Sequence, residues 1–124
     1  MLGNAKVVAF VATADPDAAQ RFYGGTLGLR LVEDAPFALV FDAGGTMLRI
    51  QKLETVTAAV NTVLRWDVGD IRTPVDRLAA AGVVFERYAG LPQDEVGIWT
   101  SPDGALVAWF KDPDGNTLSL TQFA

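Results

Sequence analysis

Histidine and cysteine, the side chains that most often carry acid–base and thiol chemistry, are both absent from the 124-residue chain. Their absence excludes thiol nucleophiles, Ser-His-Asp and Cys-His catalysis, and histidine proton shuttles. Carboxylates are the remaining candidates for proton transfer. Asp94 and Glu95 are adjacent, so on an extended segment they face opposite ways. Asp112 and Asp114 lie in a predicted turn, where we expect them to bind backbone amides. A carboxylate-only Mg²⁺ or Ca²⁺ site is possible in principle.

The bulk composition is typical of a soluble protein with one domain. Half of the chain is hydrophobic and a fifth is charged, and 15 acidic against 10 basic residues give a net charge of −5. This acidic balance argues against nucleic acid or an anionic membrane as a partner. The N-terminal residues lack a basic stretch followed by an apolar one, and no apolar run reaches membrane-spanning length. We therefore predict a cytoplasmic protein without disulfides.

The first half of the chain has the pattern of a βαβββ unit. Residues 6–13 are extended, and Asp15-Pro16 supplies a helix cap followed by proline in the first turn. The apolar stripe of this helix comprises Ala18, Ala19, Phe22, Tyr23 and Leu27, and Gly24, Gly25 and Gly28 are expected to break it. Strand-like runs follow at residues 29–33, 37–41 and 47–53, separated by turn-forming clusters.

The second half repeats this order. Residues 63–68 are extended, Asp70 or Thr73 caps a helix, and Gly82 supplies its stop. Strands are predicted at residues 83–88, 97–100, 105–111 and 117–122, with turns at 101–104 and 112–115. Under an offset of seventy positions Asp42, Gly45 and Leu48 match Asp112, Gly115 and Leu118. The repeat predicts one module over about residues 1–53, a linker at about 54–61 and a second module over about 62–124.

With these motifs the chain resembles the vicinal oxygen chelate superfamily, which includes glyoxalase I, bleomycin resistance proteins and extradiol dioxygenases. The residues that carry the likeness are 15–29, DPDAAQRFYGGTLGL, and 110–120, FKDPDGNTLSL. The resemblance implies an α+β fold of two βαβββ modules enclosing a cleft, with the ligand inside that cleft. It also implies a homodimer, and the modules could pair within one chain or across two.

Metal-binding members of this family hold the ion with one residue from the first and one from the last strand of each module. The matching positions in this sequence are Val8, Val63, Arg49 and Ser119, and a register slip would substitute Gln51 or Thr121. Valine cannot coordinate a metal, and arginine brings a positive charge to the place of the cation. We therefore predict that the protein has no metal and no other cofactor.

Period-two alternation predicts which side chains face the implied cleft. The inward set is Val8, Phe10, Ala12, Arg49 and Gln51 in the first module and Val63, Arg65, Asp67, Ser119 and Thr121 in the second, with Leu39 and Trp109 from inner strands. Trp66 and Phe110 are assigned to the opposite, helix-packing face, and Trp109 is the candidate for stacking on a ligand. Trp99 adjoins the polar loop at residues 91–97, which could form a lid or an acidic rim. Tyr23 and Tyr88 are interpreted as packing residues.

Two alternatives stay open for the arginines of the cleft. Asp67, a backbone carbonyl or solvent could satisfy Arg49 and Arg65, or the two could bind a carboxylate, phosphate or enolate oxygen of a ligand. The residues predicted to bind a ligand are Phe10, Arg49, Gln51, Arg65, Trp99, Trp109, Ser119 and Thr121. Asp67 is the only carboxylate placed in the cleft, which makes it the candidate general base.

The favoured hypothesis is a metal-independent small-molecule-binding protein, which leaves enzymatic activity uncertain. The alternative is a metal-free isomerase or lyase that acts on a small carboxylate or enolate. In that enzyme Arg49 and Arg65 would stabilise charge and Asp67 would transfer the proton. A metal-dependent lyase or dioxygenase is disfavoured by the substituted metal positions.

Overall fold

The computed structural model describes all residues, 1–124, and divides them into two compact units, Met1–Thr57 and Ala58–Ala124. The division falls within the segment predicted as a linker. Each unit has the order βαβββ, which confirms the predicted α+β fold of two such modules. No helix combines the length and the apolar character needed to cross a membrane.

The first unit forms a four-stranded mixed sheet. Its elements are β1 (Val8–Thr13), α1 (Pro16–Gln20) with a π-helical continuation (Arg21–Thr26), β2 (Arg30–Asp34), β3 (Ala38–Ala43) and β4 (Thr46–Lys52). The strand order is β1-β4-β3-β2, in which β1 runs parallel to β4 and the remaining pairs are antiparallel. The crossover through α1 therefore places the first and last strands of the unit side by side.

The first helix begins as predicted and ends later than predicted. Asp15 caps it, because its Oδ1 accepts a hydrogen bond from the Ala18 N–H at 3.1 Å. Gly24 and Gly25 do not break the helix; they lie within the π-helical turn, where the Leu27 N–H donates to the Phe22 carbonyl at 2.8 Å. The chain leaves the helix at Gly28, whose φ of 76° is in the left-handed region that favours glycine.

The second unit repeats the arrangement with a shorter edge strand. It contains β5 (Thr62–Asp67), α2 (Arg72–Ala80), β6 (Trp99–Thr100), β7 (Leu106–Lys111) and β8 (Thr117–Gln122), in the sheet order β5-β8-β7-β6. The prediction of a strand at residues 83–88 is wrong. This segment meets β7 through one backbone hydrogen bond, from the Glu86 N–H to the Trp109 carbonyl at 2.8 Å. One such bond does not make a ladder, so β6 is the second strand of the module and the edge strand of its sheet.

One face of each sheet is the core of its unit. Leu39, Phe41, Leu48 and Ile50 are buried on one face of the first sheet, and Tyr23 from the π-helical turn lies 6.1 Å from Phe41 between ring centroids. In the second sheet Leu118 and Phe110 are fully buried, and the Trp66 ring stacks on Phe110 at 6.5 Å. Trp66 and Phe110 therefore belong to the core face, as predicted.

The Asp–Gly turn that relates the two halves is built in a similar way in both units. Asp42 Oδ1 accepts from the Gly45 N–H at 3.0 Å, and Asp112 Oδ1 accepts from the Asn116 N–H at 2.9 Å. Gly45 and Gly115 have φ values of 92° and 87°. The predicted role of Asp112 as an acceptor for backbone amides is confirmed.

Candidate functional site

The face of the second sheet opposite its core carries six of the predicted site residues. Arg65 on β5 and Trp109 on β7 are both paired with Ser119 on the strand between them. One step along, Asp67 is paired with Thr121, and Thr121 with Val107, which is paired with Trp99 on β6. Paired residues on neighbouring strands point to the same side, so these side chains share one face. We call it the Arg65 face.

Arg65 has free hydrogen-bonding capacity on this face. It is exposed, and its Nε donates to Ser119 Oγ at 2.8 Å. No carboxylate lies within ion-pairing distance, so the terminal nitrogens of the guanidinium have no acidic partner in the chain. The interpretation in which Asp67 satisfies Arg65 is therefore wrong.

Asp67 is exposed to solvent, whereas we expected an enclosed carboxylate beside Arg65. It forms no hydrogen bond and no ion pair with another residue of the chain. The side chains of residues 65 and 67 leave the strand on the same side but about two residue rises apart, roughly 7 Å, which exceeds hydrogen-bonding distance between their stems.

Three aromatic rings form a cluster on the Arg65 face. The Trp99 and Trp109 centroids are 6.0 Å apart at an interplanar angle of 37°, and Tyr88 meets Trp109 edge-on at 5.4 Å and 86°. Both indoles are half-buried and Tyr88 is 39% exposed. Burial raises the pKa of the Tyr88 phenol, and the negative charge of Glu86 raises it further. Sequence patterns did not identify Tyr88 because its segment is not a strand, so alternation does not apply to it.

Thr121 is a buried polar residue without a partner. Its side chain is 1% exposed, and its Oγ1 has no hydrogen bond. Buried hydroxyls in folded proteins are nearly always paired, so an unpaired one requires an explanation. Its place between Asp67 and Val107 puts the orphan hydroxyl on the Arg65 face.

The corresponding face of the first sheet carries the remaining predicted residues. Phe10 is paired with Arg49 and Ala12 with Gln51, so these residues share a side. Phe10 is 56% exposed, and Arg49 is half-buried without a hydrogen bond or an ion pair. Leu39 does not belong to this face: it is paired with Ile50 and is 1% exposed in the core.

Two arginines outside the loop at residues 91–97 bind it. Arg72 on α2 binds Asp94 and Glu95, each at 3.0 Å, and the Arg87 guanidinium donates to the carbonyls of the same two residues. Burial raises the pKa of Asp94, but amide hydrogen bonds from Ile98 and Val96 together with Arg72 lower it by more, so the net shift is downward. The acidic side chains of this loop are thus neutralised locally.

A groove of about 570 Å³ adjoins this loop. It is lined by Asp70, Ile71, Arg72, Pro92, Gln93, Asp94, Ile98, Thr100, Leu106 and Gln122. Leu106 and Gln122 are paired with each other and alternate with the residues of the Arg65 face, so the groove opens elsewhere. Arg72 and Asp94 are ion-paired with each other, and the Asp70 carboxylate accepts hydrogen bonds from the Arg72 N–H and the Thr73 hydroxyl at the start of α2.

These features define the class of protein. The family model of the Glyoxalase/Bleomycin resistance protein/Dioxygenase superfamily matches residues 6–120, so the chain belongs to this superfamily. A comparison with curated proteins gives no match.

Solved structures show the same fold at low sequence identity. The chain is similar to a lactoylglutathione lyase from Agrobacterium tumefaciens (20% identity, TM-score 0.72, covering 97% of this chain and 95% of that one). It is also similar to a bleomycin resistance determinant encoded on transposon Tn5 (17%, 0.74, 97% and 98%). A superfamily member from Sphaerobacter thermophilus gives 22% identity and a TM-score of 0.75 over 98% and 99% of the chains.

The residues at the family's metal positions do not fit a metal ion. Val8 and Val63 offer no donor atom, Arg49 is a cation, and Ser119 Oγ already accepts a hydrogen bond from Arg65. No group of three or more acidic side chains in the chain is placed to hold a cation elsewhere. The residues at these positions therefore do not form a set of metal ligands.

Proposed function

We propose that this protein is a metal-independent small-molecule-binding protein whose ligand lies against the Arg65 face. The observation that carries the proposal is an arginine without an acidic partner on the same face as an accessible aromatic cluster. A planar ligand with an anionic group, such as a carboxylate, a phosphate or an enolate oxygen, would match both features.

The spacing of the strands sets the size of this ligand. Arg65 and Trp109 flank Ser119 on either side, so their strands are two sheet spacings apart, about 10 Å. The arginine side chain can reach toward Trp109, which shortens the distance that the ligand must cover. A molecule with one or two fused rings and an acidic substituent spans it.

Ser119 and Thr121 supply the polar floor between these groups. Ser119 fixes the orientation of the guanidinium through its contact with Nε. Thr121 lies beside it on the same face, 1% exposed, with its hydroxyl unpaired. Phe10, Arg49 and Gln51 share a face of the first sheet, which also combines an aromatic with a basic group.

The net charge of −5 favours a cationic ligand, whereas Arg65 favours an anionic one. Arg65 determines the preferred charge of the ligand, because charges beyond about 8 Å are largely screened at physiological ionic strength. Arg65 touches a ligand on this face, while most of the acidic residues lie elsewhere on the surface.

A metal-free isomerase or lyase is the second candidate. Asp67 favours it, since this carboxylate lies on the Arg65 face and binds no other residue of the chain. It could accept a proton from an acidic substrate that Arg65 orients. Turnover of such a substrate that disappears in Asp67→Asn would establish this activity.

Calorimetric titration with 2-naphthoate and with its neutral analogue 2-naphthamide tests the binding proposal. We expect the carboxylate to bind more tightly than the amide. Arg65→Met should lower the affinity for the carboxylate at least about tenfold and leave the affinity for the amide unchanged. Arg77→Met is the matched control, because Arg77 is exposed on α2 and has no ion pair. Equal affinity of the two probes for the unmodified protein would contradict the proposal.

A further inference from the structure

The side-chain amide of Gln93 joins two parts of the segment between α2 and β6. Its Nε2 donates to the Glu86 carbonyl and to the Gly97 carbonyl, each at 2.9 Å. Its Oε1 accepts from the Tyr88 N–H at 2.9 Å. One side chain thus satisfies three backbone groups, at both ends of the loop.

This pattern imitates a neighbouring strand. In a parallel sheet one residue bonds the carbonyl and the N–H of two residues that lie two positions apart, as Gln93 does with Glu86 and Tyr88. The same segment is also bound to β7 through the Glu86 N–H and the Trp109 carbonyl. Residues 86–88 are therefore held by one backbone contact with β7 and by the Gln93 side chain.

The backbone around Gln93 is held by several hydrogen bonds. It forms a bridge with Trp99, the Asp94 N–H donates to the Ile98 carbonyl at 2.9 Å, and Asp94 Oδ1 accepts from Ile98 at 2.8 Å. Gly97 allows the close approach, because its φ is 97° and a Cβ there would lie 3.1 Å from Phe85 Cβ. The amide is therefore presented by a fixed backbone.

We propose that Gln93 is the positioning residue of the aromatic cluster, because its side-chain amide holds Tyr88 against Trp109. Tyr88 has no regular strand or helix to place it, and its backbone N–H is bound by Gln93. Its ring nevertheless meets Trp109 at 5.4 Å in an edge-on arrangement. The consequence for ligand binding rests on the function proposed above; the consequence for the cluster does not.

The near-UV circular dichroism of the unliganded protein tests the position of the rings directly. We expect Gln93→Ala to reduce the aromatic signal while the far-UV spectrum is retained, and to lower the affinity for 2-naphthoate about tenfold. Gln20→Ala is the control, since Gln20 is exposed on α1 and makes no side-chain hydrogen bond. An unchanged aromatic spectrum in Gln93→Ala would overturn the proposal.

Gln93→Glu supplies a signature that general loss of stability does not produce. The introduced carboxylate would face the Glu86 and Gly97 carbonyls, which raises its pKa above the ordinary value for Glu. Protonation restores one donor, so the aromatic signal should recover as the pH falls from about 7 to about 4. Unmodified protein, in which residue 93 does not titrate, is the control. A signal in Gln93→Glu that does not change over this range would overturn the proposal.

The two proposals fail in different ways. If 2-naphthoate does not bind but the spectrum responds to residue 93, the positioning role stands and the ligand assignment falls. If 2-naphthoate binds equally to the unmodified protein and to Gln93→Ala, and the spectrum does not change, the positioning role falls and the ligand assignment stands.

Discussion

Thr121 and Thr13 are both buried, and they differ in whether the side-chain hydroxyl takes part in a hydrogen bond. Thr13 Oγ1 accepts from the Asp15 N–H at 3.1 Å and so supports the entry into α1. Thr121 Oγ1 has no partner. The difference allows a test of whether the Thr121 hydroxyl is retained at a cost in stability.

Thr121→Val is expected to raise the free energy of unfolding by about 1 kcal/mol, because the substitution removes an unsatisfied buried hydroxyl at almost constant volume. Thr13→Val should lower it by about 1 kcal/mol, since it leaves the Asp15 amide without its acceptor. Urea denaturation of the two variants measures both values. Destabilisation by Thr121→Val would mean that the hydroxyl has a partner within the folded protein.

Individual site residues could be predicted where a strand fixes the direction of the side chain. Arg65, Ser119 and Trp109 share a face because alternation holds on β5, β7 and β8. Tyr88 and Gln93 could not be found, because their positions depend on a side-chain amide in an irregular segment. The ionic surroundings of Asp67 were also beyond prediction, since they depend on which side chains reach one another across the face.

Among the elements, β3 shows why continuous apolar runs mislead. Ala38, Leu39, Val40 and Phe41 are all buried, so both faces of this strand are apolar and alternation gives no direction. Leu39 was therefore assigned to the wrong side. The segment at residues 83–88 misled for a different reason: it has the composition of a strand, while Gln93 takes the place of a partner on one edge.

The loop between α2 and β6 is stabilised by charge, which makes its stability depend on pH. The pKa of Asp94 is lowered in the folded protein, so its contribution is present above the pKa of the unfolded chain and is lost as the pH falls through the folded value. We expect the urea midpoint of the unmodified protein to fall between about pH 5 and pH 2. Asp94→Asn should have a lower midpoint at neutral pH and a smaller fall.

Asp76→Asn is the control for this measurement, because Asp76 is exposed on α2 and makes no hydrogen bond or ion pair. Its urea midpoint should equal that of the unmodified protein at every pH. If Asp94→Asn did so as well, the contact with Arg72 would contribute nothing measurable.

At the scale of the whole molecule, the two units are versions of one βαβββ module with different chemistry on equivalent faces. Arg49 and Ser119 occupy matching positions under the repeat, as do Asp42 and Asp112. The two turns share an acidic residue and a glycine, while the side chains on the equivalent faces differ.

Native mass spectrometry of protein purified without chelator tests the proposals made for the whole molecule. We expect a dimer of the 13.2 kDa chain without stoichiometric metal, and a spectrum unaffected by prior treatment with EDTA. A bound organic species would support the binding function directly. Stoichiometric metal would contradict the metal-independent proposal, and a monomer would contradict the expected homodimer.

The π-helical turn after α1 has an evolutionary consequence. An i to i+5 hydrogen bond accommodates one residue more per turn than an α-helix does, so Arg21–Thr26 has the form of a single-residue insertion absorbed without loss of the helix. The helix of the second unit, Arg72–Ala80, contains no such turn. After a duplication, the first module could therefore have gained a residue, or the second lost one, without disturbing the sheet that follows.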